Sequence, residues 1–203
     1  RVEDAGLNAS APPEQRWLDG WLVRYSPGKA KRARCINALA QGVRPIDDKL
    51  AECATLYREA GLPMFVRITP FTQPAGLDGL LARRGWHRVD DTRVMVLDPL
   101  AGLRGGSVPD GVEALPVEAA EYARAVGALR ASPLAQIEAQ ARRVALSPVP
   151  YQGVLWRRDG ELVACGQFAR EGDLVGLYDV FTAPAERGQG LAKALCSHLL
   201  EQS

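Results

Sequence analysis

The sequence predicts an α/β protein, with a mixed, mostly antiparallel sheet flanked by helices. Three observations predict it. The run Leu174 to Phe181 has the length and the β-branched and aromatic content of a buried strand. It passes Pro184, which has no N–H to give a sheet, then Arg187, Gly188 and Gly190, and enters a helical pattern at Leu191. Two strand-like runs upstream are joined by Arg158-Asp159-Gly160, a hairpin turn that makes neighbouring strands antiparallel.

The stretch from Pro99 to Pro109 is rich in glycine and is the best candidate boundary. We read residues 1–99 as one unit, 100–111 as a linker and 112–203 as a second unit. A net charge of +1 gives no global field to hold nucleic acid or an anionic membrane. No apolar run approaches the ~20 residues that span a bilayer, and no charged-then-apolar leader stands at the start. Cys35, Cys53, Cys165 and Cys196 form no C-x-x-C pair and read as reduced, buried thiols of a cytoplasmic protein. His87 and His198, the two histidines, share no ligand spacing with them, so no metal site is expected.

In the first unit, residues 1–15 are polar, carry Ala-Pro-Pro at 11–13 and read as a loosely held lead-in. Trp17, Asp19, Trp21, Val23 and Tyr25 alternate as one face of a strand. Ser26-Pro27-Gly28-Lys29 is a turn, and a second strand is expected from Ala30 to Leu39. The basic run from Lys29 to Arg34 reads as a solvated strand edge rather than a phosphate contact. Pro45 opens a helix with Leu50, Cys53, Ala54 and Tyr57 on its apolar stripe; Gly61 and Pro63 close it. Met64 to Thr69 is a short strand, Leu77, Leu80 and Leu81 mark a short helix ending at Gly85, and Trp86 to Leu97 returns as a strand.

The second unit starts with a strand, Val112 to Leu115, and a helix from Pro116 to Leu129. Ser132-Pro133 starts another helix, Ser as cap, with Leu134, Ile137, Ala141 and Val144 on one face. Tyr151 to Trp156 and Leu162 to Ala169 form the hairpin, and Glu171-Gly172-Asp173 turns into Leu174–Phe181.

A strand, a Gly-rich turn and a helix N-terminus in succession bind phosphate, because the first amides of a helix lack intrahelical partners and sit at its positive end. The spacing Arg187-x-x-Gly190-x-Ala192 fits neither G-x-G-x-x-G nor Gly-Lys-Ser/Thr. It resembles the acyl-CoA loop of the GNAT family of N-acetyltransferases, whose signature is Arg/Gln-x-x-Gly-x-Gly/Ala. The order β-α-α-β-β-β-α of residues 112–203 is similar to that family's first two-thirds. The first unit, β-β-α-β-α-β, resembles the second half of the same fold as a degenerate copy. Its counterpart of the phosphate turn, Ala40-Gln41-Gly42-Val43-Arg44-Pro45, lacks the spacing, and Leu81 stands where many members carry a tyrosine. The resemblance also implies strands beyond Ser203, supplied by a longer chain or by the first unit. A tandem arrangement is therefore expected, with the two units sharing one sheet or packing edge to edge.

The resemblance implies acetyl transfer from acetyl-CoA to a primary amine by direct attack in a ternary complex. The rival is an inactive CoA-binding or sensory module. The backbone amides of Gly188, Gln189, Gly190, Leu191 and Ala192 and the side chain of Arg187 are the expected pyrophosphate ligands. Backbone groups of Val180, Phe181 and Thr182 would pair with the pantetheine arm, as an added strand does at a free edge. Asp179, a carboxylate in an apolar strand on the side of Leu177 and Phe181, is the candidate base, with a structural carboxylate as the alternative. Glu171 is a weaker candidate, and Tyr178, opposite Asp179, reads as core. His198 reads as a core histidine, and Trp17 and Trp21 as packing. The usual thiolate acid of the family, a tyrosine in a later helix, has no counterpart here, and a homodimer is compatible with the reading.

Overall fold

In the computed structural model, which describes residues 1–27, 30–100 and 106–203, the elements in chain order are α1 (Val2–Ala9), β1 (Gln15–Leu18), β2 (Trp21–Arg24), β3 (Ile36–Ala38), α2 (Ile46–Glu59), β4 (Val66–Arg67) and α3 (Leu77–Arg83). There follow β5 (Glu113–Glu118), α4 (Ala119–Leu129), α5 (Leu134–Ala145), β6 (Tyr151–Arg158), β7 (Glu161–Glu171), β8 (Leu174–Thr182) and α6 (Leu191–Gln202). The described strands form two separate four-stranded sheets, β1-β2-β3-β4 and β5-β6-β7-β8, one in each of two compact units. Among the described residues no sheet runs through both, which removes the shared sheet, one of the two expected arrangements. Residues 28 and 29 of the expected turn, and part of the expected linker, lie outside the described residues.

One unit comprises Glu14–Pro27 and residues 31–100. The continuous strand expected from Trp17 to Tyr25 is instead a hairpin, with Leu18 opposite Trp21. Asp19 and Gly20 turn it with φ of 44° and 84°, the left-handed pair that a two-residue hairpin turn requires and that Asp-Gly adopts readily. The turn puts Trp21 in the core and leaves Trp17 65% exposed, so the two tryptophans share no buried face. The second strand shrinks to β3, preceded by a 3-10 turn at Lys31–Ala33. Helix α2 buries Leu50, Cys53 and Tyr57 against Trp21, Val23 and Ile36. The strand expected over Trp86 to Leu97 does not form, and Val94, Met95, Val96 and Leu97 are exposed. The two-residue β4 is too short an edge to set the register of another strand.

The turn before α2 is closed by the protein's own carboxylate. Asp19 Oδ1 accepts from the Val43 amide at 3.0 Å and Oδ2 from the Arg44 amide at 2.9 Å. Gly42 has φ 72°, and a Cβ there would stand 2.2 Å from Asp19 oxygens. The fully buried Lys49 ammonium lies beneath, 2.7 Å from the Gln41 carbonyl, 3.3 Å from Asp19 Oδ2 and 4.5 Å over the Trp21 ring.

The other unit joins Arg1–Pro13 to residues 106–203. Its four strands are antiparallel throughout, with β5 and β8 at the edges. Pro116 lies inside β5, not at a helix start, because an edge strand can point the missing N–H outward. Helix α4 therefore begins at Ala119, and Pro133 rather than Ser132 stands at the cap of α5. Helices α4 and α5 cover one face through Tyr122, Val126, Ala141 and Val144. Helix α6 covers the other, setting Leu191, Leu195 and Leu199 against Val154, Trp156 and Phe168, with His198 edge-on to Trp156. The lead-in expected to be loose is α1. Its Ala9 carbonyl accepts from the hydroxyls of Tyr151 at 2.6 Å and Ser147 at 3.3 Å, and Arg1 pairs with Asp173.

The amides of Val43 and Arg44, with Lys49 adding to them, hold the Asp19 carboxyl below the usual carboxylate range. With the folded value the lower one, that stabilisation is complete above the unfolded value of about 3.9 and is lost as pH falls through the folded value. Asp19→Asn is therefore expected to lower the melting temperature at neutral pH, with the gap to wild type narrowing below about pH 3.9. Thermal denaturation followed by circular dichroism across pH checks this, and a gap independent of pH would exclude it.

Candidate active site

The site is organised by one extra residue in β8. Cys165 pairs with Phe181 and Gln167 with Tyr178, so Asp179 and Val180 together oppose Gly166. This is a β-bulge. Asp179 takes φ 51°, a left-handed conformation that costs an L-residue about 1–2 kcal/mol and that Asp tolerates better than most. The bulge corrects the expected alternation. Tyr178 and Phe181 both pack toward α4 and α5, whereas Leu177 and Val180 pack toward α6. Asp179 thus shares its side with Tyr178 and not with Leu177.

On that side the Asp179 carboxylate meets donors from three elements. Arg130, at the end of α4, reaches Oδ1 at 3.3 Å; Gln140 of α5 reaches Oδ2 at 3.4 Å and Gln167 of β7 reaches it at 3.0 Å. Its side chain is 30% exposed, less buried than the apolar run implied. The main-chain oxygen of Asp179 accepts from the Tyr122 hydroxyl at 2.8 Å and from Arg130 Nη2 at 3.4 Å. Burial, with the Cys165 thiol adjoining, pushes the Tyr122 phenol far above its ordinary range, so it stays a donor. Burial likewise raises the Cys165 thiol. Tyr122, Arg130, Gln140 and Gln167 belong to no motif in the sequence; the one signal is a glutamine, Gln167, inside the apolar run of β7.

Glu171 is not brought to this place. It pairs with Leu174 and accepts from Asn8 of α1 at 2.7 Å. Five residues along β7 separate it from Gly166, roughly 17 Å at the usual rise.

Beyond β8 the chain makes a 3-10 turn at Pro184–Glu186 and reaches α6 through Arg187, Gly188, Gln189 and Gly190, all exposed. Both glycines have φ 80°, and a Cβ on either would meet nothing within 4 Å. Among the described residues, the amides of Gly188, Gln189 and Gly190 make no backbone hydrogen bond. The first helical bond of α6 is Ala194 to Gly190, so the amides of Leu191 and Ala192 add two more open donors. Leu191 is buried as the anchor of α6, and Ala192 is exposed. The Arg187 guanidinium donates to the Thr182 carbonyl at 3.4 Å and lies over the Phe181 ring at 5.6 Å. The turn is therefore an open cradle of the kind a diphosphate fills. It contrasts with the Asp19-filled turn of the other unit. A separate cleft of about 650 Å³ lies at the opposite ends of the strands, lined by Glu118, Glu121, Tyr151 and Phe168 among others, and does not include the cradle. No group of three or more His, Cys, Asp or Glu is gathered among the described residues.

Gly166 lets α6 approach the bulge, since a Cβ there would stand 2.6 Å from Leu199 Cδ1. Gly166→Ala is expected to destabilise the protein by about 1–3 kcal/mol through overpacking. Urea denaturation measures it, and an unchanged midpoint would show that α6 can slide away freely.

The model of the Acetyltransferase (GNAT) family matches residues 121–203. No curated protein matches the sequence. Among solved structures, the chain is similar to a GCN5-related N-acetyltransferase from Kribbella flavida, at a TM-score of 0.69 and 18% identity, over 100% of this chain and 79% of that one. That likeness shows the fold and extends it across both units. No described helix is long and apolar enough to cross a membrane. Residues 121–203 thus match the model of the acetyltransferase (GNAT) family, and the chain as a whole shares the fold of a GCN5-related N-acetyltransferase.

Proposed function

We propose that the protein is an N-acetyltransferase that moves an acetyl group from acetyl-CoA to a primary amine by direct attack in a ternary complex. The observation that carries the reading is the set of unused amides from Gly188 to Ala192 at the end of an edge strand. Those amides and Arg187 would hold the diphosphate, with charge-assisted bonds stronger than neutral ones. The free edge of β8 at Val180, Phe181 and Thr182 offers main-chain groups to the pantetheine arm, as it would to another strand. One acetyl-CoA per chain is the expected stoichiometry, because the corresponding amides of the other unit are spent on Asp19. Free cysteines at all four positions suit a reducing compartment such as the cytoplasm.

In the transfer, the neutral amine nitrogen bonds to the thioester carbon, the C–S bond breaks, and the proton lost from nitrogen passes to a base and from there, through solvent, to the departing thiolate. Asp179 is the base we assign: Oδ1 receives one bond, from Arg130, and retains accepting capacity that Oδ2 has given to Gln140 and Gln167. The Tyr122 hydroxyl is engaged with the Asp179 carbonyl and is not the acid we assign to the thiolate. The donors crowding Asp179 favour the rival reading, a module that binds CoA without turnover.

Two measurements test this. Calorimetry should show one acetyl-CoA bound per chain, weakened about tenfold in Arg187→Ala; no binding heat would sink the donor site. Asp179→Asn should lower turnover on an amine panel while changing acetyl-CoA affinity little. Binding without any turnover in the wild type would select the rival, and unchanged turnover in the variant would remove Asp179 from the chemistry.

A further inference from the structure

Resting on that acyltransferase reading, we infer that the acceptor is a short amino acid, its amine lying at Asp179 and Gln167 and its carboxylate at the buried guanidinium of Arg143. Two polar atoms on the α4–α5 side of the sheet carry this. Nη1 of Arg143, on α5, has no hydrogen-bond partner among the described residues, and the residue is 7% exposed. Oε1 of Gln167, on β7, is likewise without a partner, and that residue is 1% exposed. A buried donor or acceptor left unpaired costs free energy, and a charged one costs more, so folded proteins keep few of them without a use.

Hydrogen-bond polarity fixes what each atom can take. An ionised carboxylate only accepts, so the Gln167 group facing Asp179 Oδ2 at 3.0 Å is its amide nitrogen. That orientation leaves Oε1 as an acceptor suited to an N–H. Arg143 has the opposite need, since a guanidinium only donates. Its Nε is taken by Gln140 Oε1 at 3.2 Å. The Tyr151 hydroxyl beside it is no counter-ion: burial pushes that phenol up to about 12, and it donates to the Ala9 carbonyl at 2.6 Å. The carboxylate of the cluster, Asp179, is already paired with Arg130. The two atoms thus call for an N–H donor at one end and an anion at the other, and a carboxylate matches the guanidinium fork.

Gln140 sets the spacing. Its Nε2 reaches Asp179 Oδ2 at 3.4 Å while its Oε1 receives Arg143, so one side-chain amide spans both ends. A ligand bridging the same groups has amine and carboxylate a few bonds apart, as in an α- or β-amino acid. Direction along β8 agrees. The glycine turn and the edge at Val180 to Thr182 follow Asp179, whereas Tyr178, edge-on to Tyr151, precedes it. Donor and acceptor therefore approach the Asp179 carboxylate from opposite ends of the strand. The cluster opens to solvent at Asp179 and Arg130, both partly exposed, which gives a small solute its way in.

The test is acetyl transfer by the full chain to a panel of α- and β-amino acids, each set against its own carboxamide, which keeps the amine and removes the negative charge. The wild type should prefer the acid by about tenfold or more in kcat/KM, mainly through KM. In Arg143→Met that preference should fall to within about twofold. Should Arg143→Met fail to fold by circular dichroism, Arg143→Lys takes the same measurement, with the preference falling at least about threefold because an ammonium lacks the fork. A merely structural arginine would lower both rates together and leave their ratio unchanged. An unchanged ratio in a folded variant, equal rates on acid and carboxamide in the wild type, or turnover confined to amines without a carboxylate overturns this inference alone. Acetyl-CoA bound without turnover on any amine overturns the enzyme reading beneath it, and no binding of acetyl-CoA overturns the donor site itself.

Discussion

The register between β7 and β8 is the constraint on which the candidate site depends. Two residues of β8 face one of β7, and from that mismatch the other features follow. The side chains beyond it change face, the Asp179 carboxylate turns toward α4 and α5, and a Cβ at position 166 would press on Leu199 of α6. The left-handed residue costs about 1–2 kcal/mol. A neutral hydrogen bond contributes about 1 kcal/mol and one to a charged group about 1.5–3, so the bonds around Asp179 are sufficient to hold it. Support exceeds strain, which is how a bulge persists as a single conformation instead of slipping back into register.

The two units use the same backbone device with opposite outcomes. Each leads a strand into a glycine turn and then a helix whose first amides lack partners. In the unit built on α2, an aspartate two strands away in sequence supplies the anion, and a buried lysine stands beneath it. In the unit built on α6, the glycines are open on their Cβ side and the amides are unspent. A single carboxylate from within the chain thus distinguishes a structural cap from a cradle for an external anion.

How much of this was legible in the sequence depended on the range of the interactions involved. The turn after β8 could be read because strand, glycines and helix are contiguous. The sequence marks the hairpin at Asp159-Gly160, while the same dipeptide at Asp19-Gly20 is masked, since the alternation of Trp17, Trp21 and Val23 imitates one long strand across it. Pro116 misled because the preference of proline for a helix start competes with its tolerance on an edge strand, and only the sheet order decides between them. Helix α1 buries only Leu7 and Ala9 and is held by hydroxyls from residues 147 and 151. The bulge was invisible because register belongs to a pair of strands, and Tyr122 and Arg130 acquire their roles only through it.

Helix α1 also bears on how the chain is made. The unit it joins is discontinuous, with the β1–β4 sheet inserted between α1 and the remainder. During vectorial synthesis the inserted segment emerges whole and can close its own ladder early. The surrounding unit must wait, because the hydroxyl that receives the end of α1 lies 142 positions downstream. Until β6 leaves the ribosome, α1 lacks the Tyr151 hydroxyl on which its Ala9 carbonyl closes.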